Sequence, residues 1–178
     1  VEGRVVALIS GGIDSPVAAW AMMRRGCGII PVHLATDPVE SSKALENVQR
    51  LARYSYGWDL IPSVYDHARV VAPVLERLAE IGESRWACIF CKRAMLATAC
   101  QVAEEYGALA VVMGDSLGQV ASQSLHNLAA VSRGCPLPVL RPLIGMDKVD
   151  IIAQARQIGT FDVSTRAQQP CAFLPANP

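Results

Sequence analysis

Residues 10–15, Ser-Gly-Gly-Ile-Asp-Ser, join groups that hold an anion to a carboxylate that repels one. Gly11 and Gly12 lack a Cβ, so their N–H groups can come close to a phosphate. Ser10 and Ser15 add hydroxyl donors. Ser15 is also placed to cap a helix whose first turn suits Pro16, which would aim the helix N-terminus at the same anion. Asp14 opposes a bare phosphate, and a Mg²⁺ ion shared by its carboxylate and the phosphate oxygens removes the conflict. The plainer alternative is a glycine turn with no ligand. Neither a Walker loop, with its lysine after the glycines, nor G-x-G-x-x-G nor H-E-x-x-H occurs in the sequence.

Elements must bring such residues together. Short apolar runs predict strands at 4–10, 28–34, 59–64, 108–113 and 139–143, and helical patterns fill 16–25, 39–56, 67–81, 91–106, 117–130 and 148–158. This alternation predicts an α/β fold: a doubly wound, mainly parallel five-stranded sheet with helices on both faces. Ligands of such sheets bind beyond the carboxyl ends of the strands, where residues 10–15 fall. Gly114, Asp115 and Ser116 end the fourth strand and face the same crevice. Gln119, Ser122 and Gln123 follow at helical spacing and offer amides and a hydroxyl to a nucleotide or base, or else form an ordinary polar helix start. Arg141 and Lys148 supply the positive charge that the first loop lacks, although a lysine at a helix start is commonly a solvated one. His33, at the end of the second strand, is placed near a bound base, while His67 and His126 read as structural.

A chain of 178 residues reads as a single domain, with 164–178 an irregular proline-rich tail. Sixteen basic and sixteen acidic residues cancel, without the basic excess of a dedicated nucleic-acid binder. No apolar run reaches the ~20 residues that span a bilayer. The chain therefore reads as cytoplasmic, with no membrane partner, and its six cysteines as reduced thiols suited to metal or catalytic roles rather than disulfides.

The loop SGGIDS after a first strand resembles the PP-loop of the ATP pyrophosphatases, which cleave ATP between its α and β phosphates. With "CKRAML", "GDSLGQVASQSLHNL", "RPLIGMDKVDIIAQARQIGTFDVS" and "PCAFLPANP", the chain resembles, over nearly its whole length, the catalytic domain of the ThiI family. These are tRNA 4-thiouridine synthetases, also linked to thiamine thiazole synthesis. The resemblance implies one PP-loop domain over 1–178 with an adenine nucleotide alpha hydrolase-like, Rossmann-like fold. It makes Asp14 the essential loop carboxylate and Lys148 the catalytic lysine. ATP contacts would fall on Ser10, Gly11, Gly12, Asp14, Ser15, His33, Gly114, Asp115, Gln123 and Arg141. A uracil carbonyl oxygen would attack the α-phosphate, pyrophosphate would leave, and a sulfur nucleophile would then displace AMP.

The resemblance also bears on the sulfur. Many relatives keep a tail cysteine at the place of Cys171, which carries or attacks a persulfide. Some archaeal-type relatives add a C-x-x-C pair, here Cys88 and Cys91, and hold an iron–sulfur cluster on the three thiolates. It thus implies a 3Fe-4S or 4Fe-4S cluster at Cys88, Cys91 and Cys171, soft ligands that suit iron–sulfur chemistry. A persulfide on Cys171 resolved by Cys88 or Cys91 is the second route, with zinc or plain buried thiols behind it. Cys27, Cys100 and Cys135 read as core or incidental thiols.

Partners implied are tRNA and a sulfur donor, either sulfide or a persulfide carrier. The ferredoxin-like piece and THUMP domain that bind RNA in the family have no counterpart in this sequence, nor has the rhodanese domain. RNA capture is therefore expected from a THUMP-containing partner, a missing N-terminal segment or a homodimer. Of the local basic residues Arg24, Arg25, Arg85, Lys92 and Arg93, the last sits beside a cysteine of the pair and is the expected RNA contact. Two other classes stay open: a pyrophosphatase acting on a small molecule, amide-forming or thiamine-related, and a non-catalytic nucleotide-binding subunit.

Overall fold

The computed structural model describes residues 3–167, 171 and 173, with Ala121 by its backbone alone. Five parallel strands, β1 (Gly3–Leu8), β2 (Cys27–Ala35), β3 (Ser63–Asp66), β4 (Ala110–Val112) and β5 (Val139–Leu140), lie in the order β3-β2-β1-β4-β5. The chain winds outward from β1 to one edge and then crosses back to fill the other, so the crevice beyond the ends of β1 and β4 is the topological switch point.

β1 is central because its side chains are apolar on both faces. Val5, Ala7 and Ile9 pack against helix α1 (Asp14–Met23) and helix α6 (Lys148–Ile158) through Val17, Ala18, Ile151 and Ala155. Val6 points the other way, toward Leu96, Ala99 and Val102 of helix α4 (Ala87–Tyr106) and Val131 of helix α5 (Leu125–Ser132). Alternate residues of one strand thus feed two cores, as a sheet covered on both faces requires.

The remaining helices have legible starts. In α2 (Pro38–Leu51) the Asp37 carboxylate accepts the Glu40 N–H, and in α3 (His67–Glu80) Asp66 accepts from Arg69. A short helix α7 (Phe161–Ser164), absent from the sequence expectation, follows α6 directly. The expected tail at 164–178 lies for the most part outside the described residues. None of the described helices is long and apolar enough to cross a membrane.

Several boundaries differ from expectation for physical reasons. The third strand begins at Ser63, not 59, because Pro62 has no N–H to give a ladder and pairing starts only at Val32–Ser63. The helix expected at 117–130 begins at Leu125. Gly118 takes a φ of +73° and the segment before Leu125 carries only a 3-10 turn, Ala121–Gln123, so Gln119, Ser122 and Gln123 do not share a helical face. Helix α4 starts at Ala87 rather than at residue 91, which puts Cys88 in its first turn and Cys91 one turn further on.

Candidate nucleotide and sulfur site

At the carboxyl ends of β1, β2 and β4 lies a cavity of about 380 Å³. The loop after β1 lines it with Ser10, Gly12, Asp14 and Ser15, the end of β4 with Gly114 and Asp115, α4 with Cys91 and Lys92, and the tail with Cys171 and Phe173. Glycine at positions 11 and 114 answers to close approach. A Cβ on Gly11 would stand 2.9 Å from the Lys43 Cβ, and one on Gly114 would stand 2.8 Å from the Ser15 backbone nitrogen. The end of β4 and the start of α1 can meet only because residue 114 has no side chain.

The hydroxyls organise the loop itself. Ser15 Oγ accepts the Ser10 N–H at 2.8 Å and lies 3.0 Å from Ser10 Oγ, which in turn accepts the Gly12 N–H at 3.2 Å. The expected cap by Ser15 is therefore corrected: the helix begins two residues earlier than expected, at Asp14, and its first turn has no side-chain cap. From below, Asn47 Nδ2 donates to the Ser10 carbonyl and to Ser164 Oγ, whose hydroxyl donates to the Gly12 carbonyl at 3.1 Å. Thus α2 and α7 brace the loop through Asn47 and Ser164, which are not among the residues lining the cavity.

Two charged contacts reach the loop. Lys148, the first residue of α6, holds Asp14 Oδ1 at 2.5 Å, with Lys148 half exposed. The Gly11 N–H donates to Glu40 Oε1 at 2.6 Å, so a carboxylate of the protein takes one donor that an anion would use. Burial pushes the Glu40 carboxyl up from its usual range, against the opposing pull of the Gly11 N–H and His33. His33 forms part of the cavity wall, yet both ring nitrogens are engaged within the protein. Nδ1 meets the Ile9 carbonyl at 2.9 Å, and Nε2 meets Ser41 Oγ at 2.9 Å and Glu40 Oε2 at 3.2 Å.

Asp115 is buried between two cations. Lys92 Nζ lies at 2.7 Å and Arg141 Nε at 3.0 Å from its two oxygens. Burial alone would raise this carboxyl, but the pair of cations holds it below the ordinary carboxylate range. Arg141, expected to supply positive charge and an ATP contact, places its guanidinium on Asp115 and on Ser132 Oγ, and it is not among the described residues that line the cavity. Lys92, assigned on sequence to a surface basic cluster, is instead a cation in the cavity wall. Gln123 is buried there too, and its Oε1 has no hydrogen-bond partner among the described residues, an acceptor open to a ligand.

Two of the three thiols of the sulfur expectation reach this cavity, one from α4 and one from the tail. Cys91 and Cys171 both line it, and Cys88 lies one helical turn before Cys91. Burial pushes the Cys91 thiol up to about 12, with further upward pushes from Cys171 and Cys88; burial and Cys171 also raise Cys88. The three sulfurs thus feel one another's charge. His67 Nε2 lies 3.1 Å from Cys91 Sγ, while its Nδ1 is buried with no hydrogen-bond partner among the described residues. Among the described residues no three His, Cys, Asp or Glu side chains are grouped to hold a single metal ion. Arg93 is exposed and stands outside the cavity lining, and Arg24 and Arg85 are spent on Trp20 and Glu83.

Sequence reasoning missed Glu40, Lys43 and Asn47. The signal for them existed: polar residues spaced i, i+3 and i+7 on α2 fall on one helix face, and Lys43 and Asn47 are buried where apolar residues belong. It also passed over the G-x-S-x-G spacing of Gly114–Gly118. No nucleophile results, because Ser116 is buried with its hydroxyl donating to the Met146 carbonyl at 3.3 Å.

Switch-point crevice, glycine loop and first-helix start together define an α/β domain with the doubly wound fold. A model of the thiamine biosynthesis protein (ThiI) family matches residues 1–178, and the chain belongs to that family. It is similar to the probable tRNA sulfurtransferase of Thermococcus kodakarensis, 44% identical over 184 residues, with 99% of this chain and 46% of that protein covered. The probable tRNA sulfurtransferase of Methanocaldococcus jannaschii is 43% identical over 177 residues with the same coverage. A crystal structure of a 4-thiouridine synthetase in complex with RNA and bound ATP superposes with a TM-score of 0.91 at 35% identity, covering 99% of this chain and 46% of that one. The chain spans about half the length of the relatives it matches.

Proposed function

We propose that this chain is the catalytic core of an ATP-dependent tRNA sulfurtransferase that activates a uridine carbonyl oxygen with AMP and replaces it with sulfur, giving 4-thiouridine. The observation that carries the reading is that two thiols, Cys91 and Cys171, share one cavity with the glycine loop. A pyrophosphatase with a nitrogen nucleophile has no use for sulfur there. The relatives' names point the same way.

The loop N–H groups and the Ser10 and Ser15 hydroxyls would take the phosphates of ATP, with the Glu40 carboxylate giving up Gly11 as they arrive. The uridine oxygen attacks the α-phosphate and pyrophosphate departs; a sulfur nucleophile then adds to the base carbon and AMP leaves. Lys148 supplies positive charge where the reacting phosphate gains negative charge, and positioning accounts for most of the remainder. The buried amide of Gln123 is an acceptor for the base. Asp14 offers a hard oxygen ligand of the kind Mg²⁺ takes, and the ion when bound would neutralise phosphate charge.

Cys88, Cys91 and Cys171 would hold a 3Fe-4S or 4Fe-4S cluster, and the 4Fe-4S form, with one iron more than the thiols, would supply an iron site for sulfide. The donor set fits: three soft thiols whose mutual repulsion and burial disfavour the bare thiolates and whose charge a metal centre would offset. The second route, a persulfide on Cys171 resolved by Cys88 or Cys91, is favoured by the exposure of Cys171. Partners on this reading are tRNA in the cytoplasm, a donor of sulfide or persulfide, and either a THUMP-containing protein or segment or a second copy to hold the RNA, with Arg93 as a contact.

The test is AMP formation from labelled ATP under anaerobic conditions, with and without unmodified tRNA and a THUMP-containing relative. Stimulation of AMP release by tRNA is the expected result. ATP turnover that ignores tRNA but responds to a small acceptor would move the chain to the small-molecule class, and ATP binding without turnover in any mixture to a non-catalytic subunit. Iron and sulfide content after reconstitution, compared with persulfide trapping on Cys171, separates the two sulfur routes.

A further inference from the structure

One pair of thiols lies outside this chemistry. Cys100, in the second half of α4, and Cys135, in the turn after α5, bring their sulfurs to 2.7 Å across 35 residues of sequence. That is closer than unbonded sulfurs pack and leaves about 0.7 Å to the length of a disulfide bond. Both side chains are half-buried, so a small reagent can reach them. The elements that carry them are packed together over one face of the sheet: Leu96, Ala99 and Val102 of α4 share a core with Val131 of α5, and Cys100 packs against that core. The pair is also separate from the site thiols. Nine residues of helix, about 14 Å of rise, divide Cys100 from Cys91.

We propose that Cys100 and Cys135 form an intramolecular disulfide that fastens α4 to the segment between α5 and β5. This reverses the expectation that all the cysteines are reduced and that these two are incidental. The step takes a low-molecular-weight disulfide as oxidant. Two S–H bonds of the protein and the S–S bond of the reagent break, one protein S–S bond forms, and the reagent leaves as two thiols. Burial and the hydrogen bond to Cys135 push the Cys100 thiol up to about 12, so the exchange speeds up as pH rises. Closing a loop of this length restricts the unfolded chain and leaves the native arrangement almost untouched. The proposal does not rest on the sulfurtransferase reading.

The experiment incubates the purified chain with oxidised glutathione, alkylates it under denaturing conditions without reduction, and maps the tryptic peptides by mass. Arg133 lies between the two cysteines, so cleavage after it leaves them on separate peptides unless a disulfide joins them. The expected result is one joined pair carrying Cys100 and Cys135. It comes with a melting temperature on the order of 5–10 °C above that of the reduced chain. Cys100→Ser and Cys135→Ser should each abolish the oxidative rise. Recovery of both cysteines alkylated, each capped by glutathione, or joined to a different cysteine would overturn the proposal, and so would a rise that persists in Cys100→Ser. The peptide map is read on the natural sequence, so it stands even where a serine variant folds poorly.

Discussion

At the scale of single residues, the site couples charges that ATP, bound as proposed, would rearrange. Lys148 sits on Asp14 at 2.5 Å, but the pair is open enough to solvent to contribute little to stability, about 0–1 kcal/mol. Its value lies in placing an ammonium beside the loop. Lys148→Met should lower AMP formation by about 10²–10³-fold while changing the ATP dissociation constant and the melting temperature little, as rapid-quench kinetics and calorimetry would report. An equal loss in binding would make Lys148 a ground-state phosphate contact instead. Glu40 has the opposite sense. Its carboxylate takes the Gly11 N–H and adds negative charge next to the place proposed for phosphate. Glu40→Gln should therefore tighten Mg-ATP binding several-fold in a titration. Weaker binding would mean that the carboxylate holds the loop open for ATP rather than competing with it.

At the scale of elements, Asp115 is the joint between β4, α4 and the chain leaving β5, through Lys92 and Arg141. Its carboxyl is held below its usual range, so the contribution to stability is fully present above the unfolded value near 4 and is lost as pH falls through the lower folded value. Asp115→Asn leaves two nearly buried cations without a counter-charge and should cost about 3–5 kcal/mol at pH 7 by denaturant unfolding. The gap between the two proteins should narrow below pH 4. A gap that stays constant to pH 2 would show that Asp115 acts through shape alone. Sequence pattern could find the elements that this joint connects, because β1, β2 and β4 are short apolar runs between amphipathic helices. It could not find the joint, since the partners of Asp115 lie 23 and 26 residues away on other elements. Nor could it place the helix start at Leu125. Leu117, Val120 and Leu125 mimic a helical apolar stripe while all three are exposed, so the pattern there does not mark a buried face. The loop at Ser10 was legible because its chemistry is local; Glu40 and Asn47, which shape it, reach it only through the fold.

At the scale of the whole molecule, charge is the argument. Sixteen basic and sixteen acidic residues leave no net field to draw in an RNA. Many of the cations are also paired within the protein: Arg50 and Arg166 with Glu46, Arg77 with Glu80, Arg85 with Glu83, and Lys92 and Arg141 with Asp115. Binding to a phosphate backbone draws its affinity from counterions released by unpaired lysines and arginines, and two or three contacts give a log–log salt slope of only about −2 to −3. By itself the chain should bind unmodified tRNA no more tightly than non-specific contact allows, with dissociation constants of roughly 10⁻⁵ M or weaker near physiological salt. Anisotropy titrations between low and physiological salt would give both quantities. Adding a THUMP-containing relative should bring affinity to the mixture without altering the small slope intrinsic to this domain. Submicromolar binding by the chain alone, with a steep slope, would require cations freed from their present partners, and would locate RNA recognition on this domain instead of beside it.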